Sequence, residues 1–254
     1  EIWCQDKDTP CIERVHLRFL KYLLGVKDST CSMAVYGELG RFPVHLHHFV
    51  KLIKYWCRLV MADDNSLIKA AYVNLRSLQM AGFNTWLGRV KVVLERYNLL
   101  DYWFDESLLI NNGSKLFIED FRKVIFERFT SNWYKEVCKY PVLRTYCKFK
   151  LSFNISPHLV LLRDFHLRKC ISKFRMSSHN LQIEKGRHCK PKVKEENRLC
   201  IYCNVNSVEN EEHFLLHCSF YQEERIQLFL KILSCNPDIL EGNPTQVFNS
   251  IMSS

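Results

Sequence analysis

The 254-residue sequence predicts a mainly α protein, a multi-helix array followed by a small Cys-Cys-His-Cys module. Three observations predict it. Apolar residues recur at three-and-four spacing through nearly every segment, the pattern of a helix with one buried face. Only eight glycines are present, with few turn dipeptides and no glycine-rich phosphate loop. The stretch RLCIYCNVNSVENEEHFLLHC, Arg198 to Cys218, gathers three cysteines and two histidines. With 47% hydrophobic and 25% charged residues, the composition is that of an ordinary folded chain and excludes general disorder.

The first helix is predicted in DTPCIERVHLRFLKYLLGVK, where Thr9 caps, Pro10 takes the first helical position and Gly25 ends the run. Its apolar stripe is Ile12, Val15, Phe19, Leu20, Leu23 and Leu24. A second helix runs through FPVHLHHFVKLIKYWCRLVM on Phe49, Leu52, Ile53, Trp56, Leu59 and Val60. The next starts at DDNS and carries Leu67, Ala71, Leu75 and Leu78. Further helices are predicted in NTWLGRVKVVLERY, SKLFIEDFRKVIFERFTSNWYKEV, SPHLVLLRDFHLRKCISKF and EERIQLFLKILS, and extended chain in NLQIE and CKFKLSF. No internal repeat is visible. The organisation read from this pattern is a helical region over 1–110, a helical linker with a basic segment over 111–187, and the Cys/His module with terminal helices over 188–254. The clearest boundary is the loop GRHCKPKVKEENR.

The longest apolar stretches, such as FVKLIKYWCRLVMA, are interrupted by Lys and Arg, so no membrane span is predicted. The opening EIWCQDKDTP has neither an initiator Met nor a signal-peptide pattern, and leads us to expect a piece of a longer protein. Twelve cysteines scattered through a Lys-rich chain point to free thiols in a reducing, intracellular compartment. Eight of them, Cys4, Cys11, Cys31, Cys57, Cys138, Cys147, Cys170 and Cys235, read as small hydrophobes. The net charge of +9 is concentrated in the middle: residues 131–200 hold 16 Lys and Arg against 5 Asp and Glu, whereas 201–254 hold 2 against 7. A basic block beside a metal module is the electrostatic footprint of nucleic-acid binding, and a solvated lysine-rich helical surface gives the same count.

Cys200, Cys203, His213 and Cys218 form C-x2-C-x9-H-x4-C, a set of soft ligands of the number and kind that closes a tetrahedral Zn2+ site. Four protein ligands leave no position for water, so such a zinc is structural. His217, one turn on along HFLLHC, competes with His213, and His188 and Cys189 reach the site only if the basic loop folds back.

The segment ISKFRMSSHNLQIEKGRHCKPKVK supplies the candidate phosphate contacts: Arg175, Ser177, Ser178 and His179 at a helix end, then Lys185, Arg187, Lys190, Lys192 and Lys194. His179 taken alone reads equally as a helix cap or a core residue. The adjacent aspartates of Met61–Asp64, MADD, mimic the metal-binding pair of a reverse transcriptase. Their flanks are helical rather than strand-like, and Asp63, Asp64, Asn65 and Ser66 are residue types that cap the next helix. His45, His47 and His48 point to different helix faces and do not converge as ligands. Glu119, Asp120 and Glu127 read as solvated helix faces.

IERVHLRFLKYLLGVKDSTCSMAVYGELGRFP, then KFRMSSHNLQIEKGR, then RLCIYC…EEHFLLHCSFYQEER together resemble the carboxyl-terminal, post-palm part of non-long-terminal-repeat (LINE-type) retrotransposon reverse transcriptases. The resemblance runs over most of the chain and in the same order. It implies that EIW is the tail of the segment leaving the polymerase, that the first helices are thumb-like and the central ones a linker. Cys200, Cys203, His213 and Cys218 would be the zinc knuckle. The nine-residue gap before His213 exceeds that of retroviral knuckles, so their RNA contacts are not carried over. The implied role is a grip on template RNA or target DNA by a chain that lacks the catalytic palm and works with the upstream polymerase domain, in nucleus and cytoplasm. The alternative from the residues themselves is a zinc-stapled helical module that binds another protein and no nucleic acid.

Overall fold

A computed structural model describes residues 9–253, and these are mainly helical, as predicted, with fourteen α-helices and no strand among them. The expectations placed on EIW and Cys4 lie outside the described residues. Two compact units divide the chain: unit 1 takes Phe42–Asn132 with the chain up to His16, and unit 2 takes Leu17–Arg41 with Trp133 onward. The expected boundaries at 110 and 187 fall inside these units. One reason is α8 (Ser114–Cys138), whose Phe117, Phe121 and Ile125 are buried in unit 1's stretch while Trp133 and Val137 are buried in unit 2's. Helix α1 (Thr9–Leu24) ends at Gly25, in the left-handed conformation a helix end favours (φ +65°). Of its predicted stripe only Leu20 and Leu24 are buried; Ile12, Val15, Phe19 and Leu23 are exposed.

Unit 1 is built on α3 (Val44–Val60), α4 (Leu67–Met80), α5 (Leu87–Arg96), α6 (Asp101–Phe104), α7 (Ser107–Asn112) and the first part of α8. The three-and-four spacing of α3 buries Leu52, Ile53, Trp56, Leu59 and Val60, as predicted, against Leu87, Val90 and Trp103. At its polar centre Trp56 Nε1 donates to the Tyr72 hydroxyl at 3.1 Å, and that hydroxyl donates to Glu106. Arg76 lies over the Trp103 ring at 3.9 Å and pairs with Glu106 at 3.3 Å.

On α4 the expected stripe points the wrong way. Tyr72 is the buried residue, whereas Leu67 is 85% exposed, Ala71 and Leu78 are exposed, and only Leu75 packs inward. The Trp56 and Glu106 partners of Tyr72 set the helix's rotation, and periodicity cannot register them.

Unit 2 holds α2 (Ser32–Leu39), the end of α8, α9 (Tyr146–Phe149), α10 (Pro157–Leu161), α11 (Phe165–Arg175), α12 (Gln182–His188), α13 (Gln222–Cys235) and α14 (Pro244–Ser253). Mid-helix Gly37 of α2 is required by contact: a Cβ there would lie 2.2 Å from the Trp133 ring, whose Nε1 donates to the Met33 carbonyl at 2.8 Å.

Three element expectations are corrected. SPHLVLLRDFHLRKCISKF is two helices, because Asp164 caps a new one by accepting the His166 and Leu167 amides at 2.7 and 3.0 Å. NLQIE is the start of helix α12, and CKFKLSF contributes to α9 before turning irregular. Isolated antiparallel bridges join Leu39 to Ile155 and Leu199 to Val208. The eleven described cysteines are free thiols; of the seven described ones read as small hydrophobes only Cys57 is buried, and Cys11, Cys138, Cys170 and Cys235 are exposed.

Candidate metal centre

Two short pieces of chain present the four candidate ligands. The first is a narrow hairpin closed by the Leu199–Val208 bridge, with Cys200 N donating to Ser207 O at 2.8 Å and Glu209 N to Arg198 O at 2.9 Å. Asn206 makes its turn in the left-handed conformation, which asparagine tolerates better than most residues. The second begins where Asn210 Oδ1 accepts the His213 amide at 2.7 Å and continues as a wide, five-residue turn over His213–His217. In that turn Cys218 N donates to His213 O at 2.7 Å. An i-to-i+5 turn brings the fifth residue back over the first, so Cys218, not His217, returns to His213.

The result settles the two histidines. His213 is buried, with Nε2 3.3 Å from Cys203 Sγ, while the side chain of His217 is 48% exposed and 4.0 Å from Glu212. Cys200 Sγ lies 3.8 Å from Cys218 Sγ, and all four ligand atoms fall within 4.8 Å of one another. Tetrahedral bonds of about 2.3 Å to sulfur and about 2.0–2.1 Å to nitrogen place sulfurs about 3.8 Å apart and sulfur and nitrogen about 3.5 Å apart. The donor set and its spacing therefore fit a metal ion, and this cluster can hold one.

Burial pushes the Cys200 thiol up to about 11, and backbone N–H donation from Val205 draws Cys203 down. Burial also lowers His213, favouring the neutral ring that ligates metals. His188 and Cys189 do not join: both are exposed, and the Cys189 thiol bonds the Lys185 carbonyl at 3.4 Å.

A shell of charge fastens this loop to the rest of unit 2. Arg225 of α13 donates to the Leu215 and Cys218 carbonyls, closing the turn from behind. Arg198 donates to the Ile183 and Val193 carbonyls, and its chain lies where a Cβ on Gly186 would sit, 2.7 Å away, so that mid-helix glycine admits it. Glu209 receives the Gln182 amide at 2.7 Å at the head of α12. Glu211, buried, receives Arg144 at 2.7 Å, Ser177 Oγ at 3.0 Å and His179 Nε2 at 3.0 Å. Burial opposes its ionisation, but the His179 hydrogen bond and the Arg144 charge prevail and hold its carboxyl below the usual value.

These contacts relocate half of the expected phosphate contacts. Helix α11 ends with Ser177 left-handed (φ 52°) and Ser178 N donating back to Lys173 O at 2.8 Å, which swings Ser177, Ser178 and His179 into unit 2. Arg175 is 3% exposed: its Nε donates to Glu38 Oε1 at 2.5 Å and its guanidinium to the Met252 carbonyl. Ser178 is buried and accepts the Lys27 amide at 2.9 Å, and His179 is spent on Glu211. Arg187 is half-buried and pairs with Glu184 at 3.3 Å. A buried arginine with a buried carboxylate is an interior ion pair and has no surface to offer a phosphate. Lys185, Lys190, Lys192 and Lys194 do stand exposed, on the chain leading into the Cys200 hairpin.

The MADD stretch is a helix junction. Asp63 Oδ1 accepts the Asn65 amide at 2.9 Å, and Ser66 caps α4 by accepting Lys69 N at 3.1 Å. His45 stands 3.5 Å from Glu13, whose carboxylate also receives the Val44 amide at the head of α3, while the His47 ring packs on Phe126. Among the described residues the Cys200 group is the one set that can hold a metal. Glu38, Arg144, Glu209, Glu211 and Arg225 carry no local signal: each takes a partner that its neighbours in the sequence do not indicate. No protein-family model, curated protein or solved structure matches the chain.

Proposed function

We propose that this chain is a non-catalytic, nucleic-acid-binding, C-terminal portion of a retrotransposon RNA-directed DNA polymerase. In this reading Zn2+ closes a knuckle on Cys200, Cys203, His213 and Cys218 and holds the basic segment rigid against template RNA or target DNA. The thumb-like helices near the start of the chain grip the template and primer, beside the upstream polymerase domain, in nucleus and cytoplasm.

One observation carries the reading: a buried cluster of three thiols and an imidazole at ligand spacing, entered by a run of exposed lysines. Zinc is the metal whose structural sites use that donor set. No helix is long and apolar enough to cross a membrane among the described residues, which suits a partner in solution.

The test is fluorescence anisotropy of the zinc-loaded chain with an RNA–DNA duplex across a salt series. Affinity should fall with a log-log slope of roughly −0.9 per neutralised phosphate, and changing Lys185, Lys190 and Lys192 together to Gln should flatten that slope by about 3. Salt-independent or absent binding contradicts the proposal.

The second reading, a zinc-stapled protein-interaction module, is favoured by the outward, uncharged face of α4, with Leu67, Ile68 and Leu78 exposed. It predicts stoichiometric capture of a protein partner and no polynucleotide binding at physiological salt.

A further inference from the structure

We propose that Cys138 and Cys147 are an oxidative modification site: a low-molecular-weight disulfide oxidises the pair to a Cys138–Cys147 bridge, which staples the segment that anchors the metal loop. The site does not depend on what that loop binds.

The chain reverses between the two cysteines. Cys138 is the last residue of α8, the amides of Lys139 and Tyr140 close its final turn, Pro141–Leu143 make a tight 3-10 turn, and Cys147 follows in α9. Val137 and Leu143, both buried, hold the two arms of the reversal inward. Tyr134 marks where the arms meet. It stands four residues before Cys138 on the same face of α8, and its hydroxyl donates to the Cys147 carbonyl at 3.0 Å. The Cys138 thiol is in side-chain hydrogen-bonding contact with both that hydroxyl and the Cys147 thiol. The Cys147 thiol also bonds the Arg144 carbonyl at 3.5 Å. Two free thiols and a phenol thus form one cluster at the surface of unit 2.

The two sulfurs differ in access, and the difference sets their order of reaction. Cys138 is exposed and Cys147 half-buried. Burial, then the neighbouring Cys138, raises the Cys147 thiol above its ordinary value, so Cys138 meets the oxidant first and Cys147 resolves it. Cys138, as its thiolate, attacks one sulfur of the oxidant's disulfide, breaks that bond and releases one oxidant thiol, leaving a mixed disulfide. Cys147 then loses its proton and attacks Cys138 Sγ, displacing the second oxidant thiol, which takes up a proton. Two cysteine thiols are oxidised to one disulfide and the oxidant is reduced to two thiols.

The bridge would close about ten residues of chain and so restrict the unfolded state. Arg144 lies inside that ring, and its guanidinium holds Glu184 at 3.2 Å and Glu211 at 2.7 Å, two carboxylates beside the metal loop. Oxidation therefore tightens the anchor of that loop.

The experiment holds the zinc-loaded full chain in buffers of graded reduced and oxidised glutathione, quenches with acid, and reads intact mass, a peptide map and the melting temperature of unit 2. The chain should lose two hydrogens without gaining an adduct, and the map should join the Cys138 and Cys147 peptides. The melting temperature should rise by roughly 5–10 °C and return with reductant. Cys147→Ser should leave a stable glutathione adduct on Cys138 and no rise. An adduct that persists on Cys138 of the unmodified chain overturns the site. So does a Cys138 left untouched in a buffer that modifies the exposed Cys170 and Cys235. A bridge that leaves the melting temperature unmoved or lowers it also overturns it, because the fold would then not hold the sulfurs ready to bond.

Discussion

Replacing Glu38 with alanine strips the partner from a buried charge of unit 2, Arg175. Glu38 is fully buried and receives Arg175 Nε at 2.5 Å, Arg175 Nη2 at 3.4 Å and the Tyr146 hydroxyl at 3.1 Å, with His158 Nε2 at 3.7 Å. Without the carboxylate the guanidinium keeps only the Met252 carbonyl, a distant Ser156 hydroxyl and the face of Phe149. Breaking a buried ion pair by removing one partner costs about 3–5 kcal/mol, because the remaining charge is uncompensated. For a chain of this size each kcal/mol shifts the melting temperature by about 2–4 °C, so the unit 2 transition should fall by roughly 6–20 °C. The double replacement Glu38→Met with Arg175→Met removes both charges and should recover most of the loss. Calorimetry of the unmodified chain, Glu38→Ala, Arg175→Met and the double variant is the assay. A single-variant loss below about 1 kcal/mol, or a double variant no better than Glu38→Ala, refutes an interior role for Arg175. The same cycle separates the buried pair from the surface role the sequence suggested, under which replacing Arg175 leaves the melt unmoved.

His158 predicts an acid limb. Burial, with Arg175 and Lys150 nearby, outweighs the Glu38 charge and lowers its pKa from 6.5 to about 4. The unfolded chain then binds more protons between those values, so stability is fully present above about 6.5 and falls by about 3 kcal/mol as pH drops to about 4. In denaturant titrations His158→Gln should flatten that limb; an unchanged slope contradicts the assignment. Gly37→Ala, which would gain about 0.5–1 kcal/mol in an open helix, should instead lose about 1–3 kcal/mol by collision with Trp133. A stabilised variant would show that Trp133 moves aside. Finally, His213→Ala should lose the metal while His217→Ala keeps it, read by metal content after desalting, and the reverse result would reassign the ligand.

Much of the helical content was legible because burial enforces a period, and α3 and α8 show it most plainly: their buried residues recur at helical spacing. The metal ligands were legible for a different reason, since cysteine pairs and histidines are rare enough for spacing to matter. What escaped was everything decided by a partner far along the chain. Tyr72 turns α4 by bonding Trp56 and Glu106, and Glu38 draws Arg175 inward across 137 residues. The segment KFRMSSHNLQIEKGR read as a phosphate grip because Arg, Ser and His bond carboxylates with the same donors they offer a phosphate. Only the presence of Glu38, Glu184 and Glu211 within reach distinguishes the two uses.

Metal analysis of the natively purified chain tests the central claim most directly. The account predicts one zinc ion per chain, released by a chelator with a drop in unit 2's melting temperature, and none bound after Cys203→Ser. Structural zinc contributes about 10–16 kcal/mol of apparent folding free energy in small modules, so the effect on the melt should be large. A chain purified without stoichiometric metal, whose melt ignores both chelator and Cys203→Ser, would contradict it.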